Sequence, residues 1–238
     1  MIDFDLQLYH RLSDNLACHP VQEHAGVGLR RAAVAVVIVD SDPVVHGEDD
    51  FVVDDSIGVL FPDEDGQRRN VAGTAGGAAV LLTRRAAKLR AHAGQWALPG
   101  GRVGERETPL DAALRELREE IGLDLDTSDL LGRLDDYATR SGYVITPFVF
   151  WGGADPVLNP NPDEVARVYR IGLHELCRPD SPRFIRIPES ERLVIQLPIG
   201  TDLIHAPTAA VLYQFRAVAY EGKAERVDHL EQPVFAWR

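Results

Sequence analysis

Three carboxylates stand close together in the stretch Leu98–Leu123, LPGGRVGERETPLDAALRELREEIGL: Glu116, Glu119 and Glu120. On a helix their spacing of i, i+3, i+4 puts them on one face, where like charges repel and the helix gains nothing from them. Two kinds of chemistry suit such a face. One is a plain solvated acidic surface. The other is a seat for a hard divalent cation, which takes clustered carboxylates, carbonyl oxygens and water; Mg²⁺ in particular joins protein carboxylates to substrate phosphates. Two neighbours favour the second reading. Arg115 can pair with Glu119 at i+4, and the Gly100-Gly101 turn just upstream can bring backbone carbonyls to the same place.

The elements that must position these groups can be read around them. Thr108 suits a helix N-cap and Pro109 the first helical position, where its missing N–H costs nothing. Asp111 can complete a capping box, and Gly122 offers a left-handed C-cap. The helix is therefore predicted over Pro109 to Ile121. Leu110, Ala113, Leu114, Leu117 and Ile121 recur at i, i+3, i+4, i+7 as an apolar stripe facing a core. Two strands flank the unit upstream. Arg30 to Asp40 is a β-branched apolar run and reads as a strand buried on both faces, and Gly77 to Arg85 is a second one.

Gly101, Glu107, Arg115-Glu116-Leu117, Glu119-Glu120 and Gly122-Leu123 match, at every fixed position, the Nudix box, and the chain resembles the Nudix hydrolases. That resemblance implies an α/β fold, an α/β/α sandwich with a mixed sheet, here with a long insertion between the first core strands. It also implies a requirement for Mg²⁺ or Mn²⁺ and attack of a metal-activated water on a pyrophosphate. By the same resemblance Glu116, Glu119 and Glu120, with the carbonyl of Gly100, hold the metal. Glu164, in an Asp-Glu-Val context after the box, is the further carboxylate such enzymes draw on as ligand or base; Asp163 is its neighbouring alternative, and a strand-edge charge the bland one. Arg115 and Glu107 pair to hold the loop and helix together.

Between the second strand and the box, Arg84, Arg85, Lys88 and Arg90 form a basic patch. It reads either as a solvated turn or as a phosphate-facing loop, and its approach to the acidic helix favours the latter, with Arg84, Arg85 and Arg90 as substrate-binding residues. Leu81-Leu82-Thr83-Arg84, Ala86, Arg90, Gly94 and Pro99-Gly100-Gly101 resemble the motif that precedes the box in coenzyme A pyrophosphatases, with Leu98 where that group usually has Phe. The two motifs span residues 81–123, under a fifth of the chain. They imply hydrolysis of coenzyme A or its thioesters to adenosine 3′,5′-bisphosphate and 4′-phosphopantetheine. Another nucleotide such as ADP-ribose or a dinucleotide is the nearest rival, and a non-catalytic Nudix-fold binding module the rival from a different class.

The rest of the chain sets bounds. With 238 residues it is long enough for one substantial core, and we read 1–238 as a single domain with an N-terminal extension at 1–30 and an acidic insertion at 41–77. A net charge of −12 argues against a nonspecific nucleic-acid surface, so anionic substrates must be met by local positive charge or by metal. Two distant cysteines, no signal-like start and no apolar run of bilayer length point to a cytoplasmic protein without a membrane anchor. Within the insertion, Phe51 to Val53 and Ile57 to Phe61 suggest a hairpin, and a lid, oligomer contact or loop is its expected role. His10, His19 and His24 read as surface or capping residues. Further strands are expected at Leu130–Arg133, Ser141–Phe150, where Pro147 implies a bulge or edge, and Glu164–Ile171. After these come a short helix from Leu173 to Cys177, a hairpin of Phe184–Ile187 with Leu193–Leu197, and a helix over Thr208–Tyr220 capped by Thr208. The apolar tail Val234–Arg238 suggests a final strand or a homodimer contact.

Overall fold

Arg30–Ser41 (β1) carries VAVVIV through its middle, and both faces of that run are buried. The computed structural model describes residues 1–25, 28–49, 70–86 and 94–237. The suggested hairpin at 51–61, most acidic residues of the insertion, Lys88 and Arg90 lie outside them.

β1 pairs antiparallel with Gly77–Arg85 (β2) and with Gly100–Arg102 (β4), and parallel with Tyr143–Gly153 (β7). Trp96–Ala97 (β3) and Val165–Gly172 (β8) add to β2, while Leu130–Arg133 (β5) and Tyr137–Ala138 (β6) add to β7. The result is an eight-stranded mixed sheet with the order β3-β2-β1-β7-β5 along its main path. One parallel pair among antiparallel ones makes the class α/β with a mixed sheet, as the resemblance implied.

Strand alternation sends successive side chains to opposite faces, and here each face finds its own helices. Ala33, Ala35, Val37 and Val39 of β1 pack with Ala112, Ala113, Leu117 and Ile121 of the acidic helix. Val36 and Ile38 point the other way, into a larger core with Leu8, Leu12 and Leu16 of Leu6–Cys18 (α1) and Ala209 to Leu212 of the C-terminal helix. The 1–30 extension is thus built into the core: Asp5 caps α1 by accepting from the Leu8 N–H at 2.8 Å.

A second, three-stranded antiparallel sheet of Arg183–Ile187 (β9), Ser190–Ile199 (β10) and Asp202–His205 (β11) packs on that same core through Ile195, Leu197, Ile199 and Ile204. The expected hairpin is its β9–β10 pair.

Four local expectations are corrected. Pro147 does not mark an edge: β7 lies between β1 and β5/β6, with Pro147 at the break between β5 and β6, where its carbonyl accepts from Leu134 at 3.0 Å. Thr208 does not cap its helix; Pro207 occupies the cap, and the Thr208 hydroxyl donates to the Trp96 carbonyl at 3.4 Å. The tail forms a 3-10 turn at Val234–Trp237 rather than a strand. His19 is no surface residue, since its side chain is 3% exposed and pairs with Asp135.

Candidate active site

The acidic helix, Pro109–Ile121, runs where the capping signals put it. Thr108 and Asp111 form the reciprocal capping box, and Gly122 ends the helix in the left-handed region at φ 66°. Its last turn is closed by another part of the chain. In the Asn-Pro-Asn-Pro-Asp turn, the Asn159 N–H donates to the Ile121 carbonyl at 2.8 Å and the Asn161 N–H to the Glu120 carbonyl at 2.9 Å. These bonds satisfy carbonyls that a helix end leaves without partners. They also place Glu164 beside the helical glutamates: its charge is felt by both Glu116 and Glu120.

The Gly-Gly turn meets the helix from the other side. Gly100 donates its backbone N–H to Glu120 Oε2 at 3.0 Å; this N–H is the contact it makes here, whereas the resemblance assigns its carbonyl to the metal. Gly101 leaves room for Glu116, because a Cβ there would lie 2.3 Å from Glu116 Oε1.

Arg115 binds the assembly together. Its Nε donates to Glu107 Oε1 at 2.8 Å, and Nη1 reaches Glu116 Oε1 at 2.8 Å and Glu119 Oε2 at 2.7 Å. Nη2 donates to the carbonyl of Arg102 at 3.0 Å. One guanidinium thus ties loop, strand and helix, and these bonds hold its own pKa above the ordinary arginine value.

The glutamates differ in setting. Burial pushes the Glu120 carboxyl up to about 7, with the Gly100 N–H and Arg85 pulling it down and Glu116 and Glu164 pushing further up. Burial also raises Glu116, against the pull of Arg115. Glu119 stands in solvent, its side chain 56% exposed. Buried carboxylates that repel one another are the chemical complement of a hard cation, and all donors here are oxygen. The residues present therefore fit Mg²⁺ or Mn²⁺. Among the described residues no three His, Cys, Asp or Glu side chains already converge as a ligand set, and Arg115 occupies oxygens of Glu116 and Glu119 that a cation would draw on.

The basic patch is divided by the pleat of β2. Arg85 lies toward the acidic helix, close enough to Glu120 to favour its ionised form, and its buried Nε has no partner among the described residues. Arg84 points to the opposite face and is buried at 5% exposure. There it pairs with Asp202, donates to the Gly94 carbonyl at 2.8 Å and stacks over Trp96 at 3.9 Å from the ring centroid. Two adjacent strand residues cannot serve the same face, so Arg84 is not brought to the glutamates. Asp202 carried no signal in the sequence, being an isolated acid 118 positions from its partner. Leu98 is buried in the larger core at 5% exposure, so the Phe-to-Leu difference from the coenzyme A motif concerns packing.

Residues 57–189 match the NUDIX domain. The chain is 37% identical over 138 residues to the Nudix hydrolase NudL of Photorhabdus laumondii, covering 57% of this chain and 74% of that one. Against NudL of Pectobacterium atrosepticum it is 40% identical over 97 residues, 40% of this chain and 50% of the relative. The chain therefore spans about three-quarters of the first relative and half of the second. A MutT protein from Methanosarcina mazei superposes at TM-score 0.39 with 19% identity, over 67% of this chain and 84% of its own.

Proposed function

Because the chain belongs to the Nudix family, whose members are hydrolases of pyrophosphate bonds, we propose that it cuts the pyrophosphate of coenzyme A or an acyl-coenzyme A. The products would be adenosine 3′,5′-bisphosphate and 4′-phosphopantetheine or its acyl form. The observation that carries the hydrolytic reading is the closing of the acidic helix on the Gly100-Gly101 strand, where the buried Glu120 accepts from the Gly100 N–H with Glu116 and Glu164 near enough to raise its pKa. The coenzyme A reading rests on the upstream motif from Leu81 to Gly101.

A divalent cation, when bound, neutralises pyrophosphate charge and lowers the pKa of bound water toward neutrality. Glu116, Glu119 and Glu120, with Gly100, are the residues that would hold it. Glu164 is exposed and fixed through its backbone, its N–H donating to the Asn161 carbonyl at 3.1 Å and its carbonyl accepting from Ala86 at 2.9 Å. A carboxylate free to turn on a fixed backbone suits removal of a proton from water, and Glu164 is our candidate base. Arg85, alongside, suits an oxygen of the phosphate chain. Arg115 and Glu107 keep the helix and the Gly-Gly strand in register, so we assign them a positioning role. We withdraw Arg84 from substrate binding, because Asp202 and Gly94 already use its guanidinium. Arg90 stays with the proposal on motif grounds alone.

We further propose that residues 1–238 work as one unit located in the cytoplasm. α1 and the β9–β11 sheet share one core with the main sheet, and no helix among the described residues is long and apolar enough to cross a membrane.

A turnover panel tests the reading: coenzyme A, an acyl-coenzyme A, ADP-ribose and NADH, each with Mg²⁺ or Mn²⁺. Preference for the coenzyme A compounds supports it, and preference for either other compound replaces it with a different Nudix substrate. Substituting Glu120→Gln is expected to cut metal-dependent turnover by at least a hundredfold. Turnover near the wild-type rate would mean that the site has been misplaced.

A further inference from the structure

Two arginines with no carboxylate partner among the described residues lie where β1 and β7 begin and β4 ends. The parallel register sets Arg30 beside Tyr143, and the antiparallel register sets Arg102 beside Ala32. Arg30 and Ala32 share a face of β1, so Arg30, Tyr143 and Arg102 emerge on the same side of the sheet. The Arg30 guanidinium carbon sits 3.9 Å from the Tyr143 ring centroid and that of Arg102 sits 5.5 Å away. Among the described residues the Arg30 guanidinium makes one hydrogen bond, from Nη2 to the Ser141 carbonyl at 2.9 Å. Both arginines are exposed.

Two cations gathered on one ring repel each other, and among the described residues no acid pairs with either, in a protein of 37 acidic residues against 25 basic ones. A dianion is what relieves that repulsion. The planar guanidinium matches phosphate oxygens in pairs, and a stacked one is already oriented for the task. The position links the pair to the reaction. Arg102 offers its carbonyl to Arg115 at 3.0 Å, and Gly100, two residues earlier on β4, donates to Glu120. Gly101, next to Arg102, is the residue that faces Glu116, so the arginine pair leaves the sheet on the opposite face, and a substrate reaching both sites passes around the end of β4.

We propose that Arg30, Arg102 and Tyr143 form a subsite for a phosphomonoester carried by the substrate apart from the pyrophosphate that is cut. The proposal deepens the coenzyme A reading and rests on it: coenzyme A carries such a group at the ribose 3′ position, whereas ADP-ribose and NADH carry none.

Calorimetric titration of the metal-free full chain with adenosine 3′,5′-bisphosphate, AMP and inorganic phosphate reads the subsite without turnover. The wild type is expected to bind the bisphosphate at least tenfold more tightly than AMP. Arg30→Ala and Arg102→Ala should each remove about tenfold of the bisphosphate affinity, leave AMP unchanged, and melt with the wild type. In kinetics, the same variants should raise KM for coenzyme A but not for 3′-dephospho-coenzyme A, with kcat unaltered. Equal wild-type affinity for bisphosphate and AMP overturns the subsite, as does a preference that survives both substitutions or a bisphosphate that binds no better than inorganic phosphate. If coenzyme A is not hydrolysed while the bisphosphate preference holds and the arginine variants lose it, the substrate reading fails and the subsite stands.

Discussion

Glu120 is held in a setting that suits a cation and opposes its own charge. The residue is 6% exposed, and burial carries its carboxyl from an ordinary 4.5 to about 7. The sign of the stability effect follows. A carboxyl raised in the folded state costs nothing below pH 4.5, where it is protonated in both states. It destabilises progressively as pH rises through about 7, by roughly 3 kcal/mol in the metal-free protein. Glu120→Gln should therefore melt at a higher temperature than metal-free wild type at pH 8 and at nearly the same temperature at pH 4.5, and thermal melts at the two pH values check this. A neighbouring glycine gives a complementary test. Gly101→Ala would push a methyl group into Glu116, which Arg115 holds in place. Metal affinity is expected to fall about tenfold or more, as when a ligand's support is lost, and a Mn²⁺ titration would read the drop.

At the scale of elements, the acidic helix is positioned by its ends more than by its length. Thr108 accepts from the Asp111 N–H at 3.2 Å at one end, and the Asn159–Asn161 turn closes the other. Thr108→Ala removes the cap and should cost about 1 kcal/mol, measurable as a lower urea midpoint at unchanged slope. Because Leu117 and Ile121 remain anchored in the core, KM and kcat should stay within about twofold of wild type. A collapse of activity would show that the helix is held by its cap alone. The capping residues were plain in the sequence, since a capping box is a local pattern four residues long. The Asn-Pro-Asn-Pro-Asp cluster is equally plain as a turn, because Asn and Pro favour turn conformations. Its docking on the helix was not, because hydrogen bonds from Asn159 and Asn161 to carbonyls some forty residues earlier leave no local pattern.

For the molecule as a whole, Asp135 joins the two ends of the chain. It is 4% exposed and accepts from the Gln22 N–H at 2.7 Å, Gln214 Nε2 at 2.6 Å and Arg226 Nη1 at 2.6 Å, with His19 Nε2 at 2.9 Å. Burial raises its pKa, but the bonds from Arg226, Gln22, His19 and Gln214 outweigh burial and hold the carboxyl below its ordinary 3.8. A depressed carboxylate stabilises the fold above that value and ceases to as pH falls through the folded pKa. Asp135→Asn should thus cost about 2 kcal/mol near neutral pH, by weakening charge-assisted hydrogen bonds, and the gap to wild type should narrow below pH 3.8; denaturant titrations across that range would show it. None of this hub shows in the sequence: His19 reads as a surface or capping residue, and Asp135 and Gln214 belong to no local pattern. By itself the sequence determined the acidic helix with its caps, the strands beside it and the family whose box it spells, because periodicity, capping and motif spacing are local. Only the tertiary structure decided that Arg84 and Arg85 part to opposite faces, that Asp202 claims the first, that the Asn159–Asn161 turn docks on the helix end, and that Arg30 and Arg102 meet over Tyr143. Those outcomes depend on strand pleat and on pairings between distant segments, which no local pattern records.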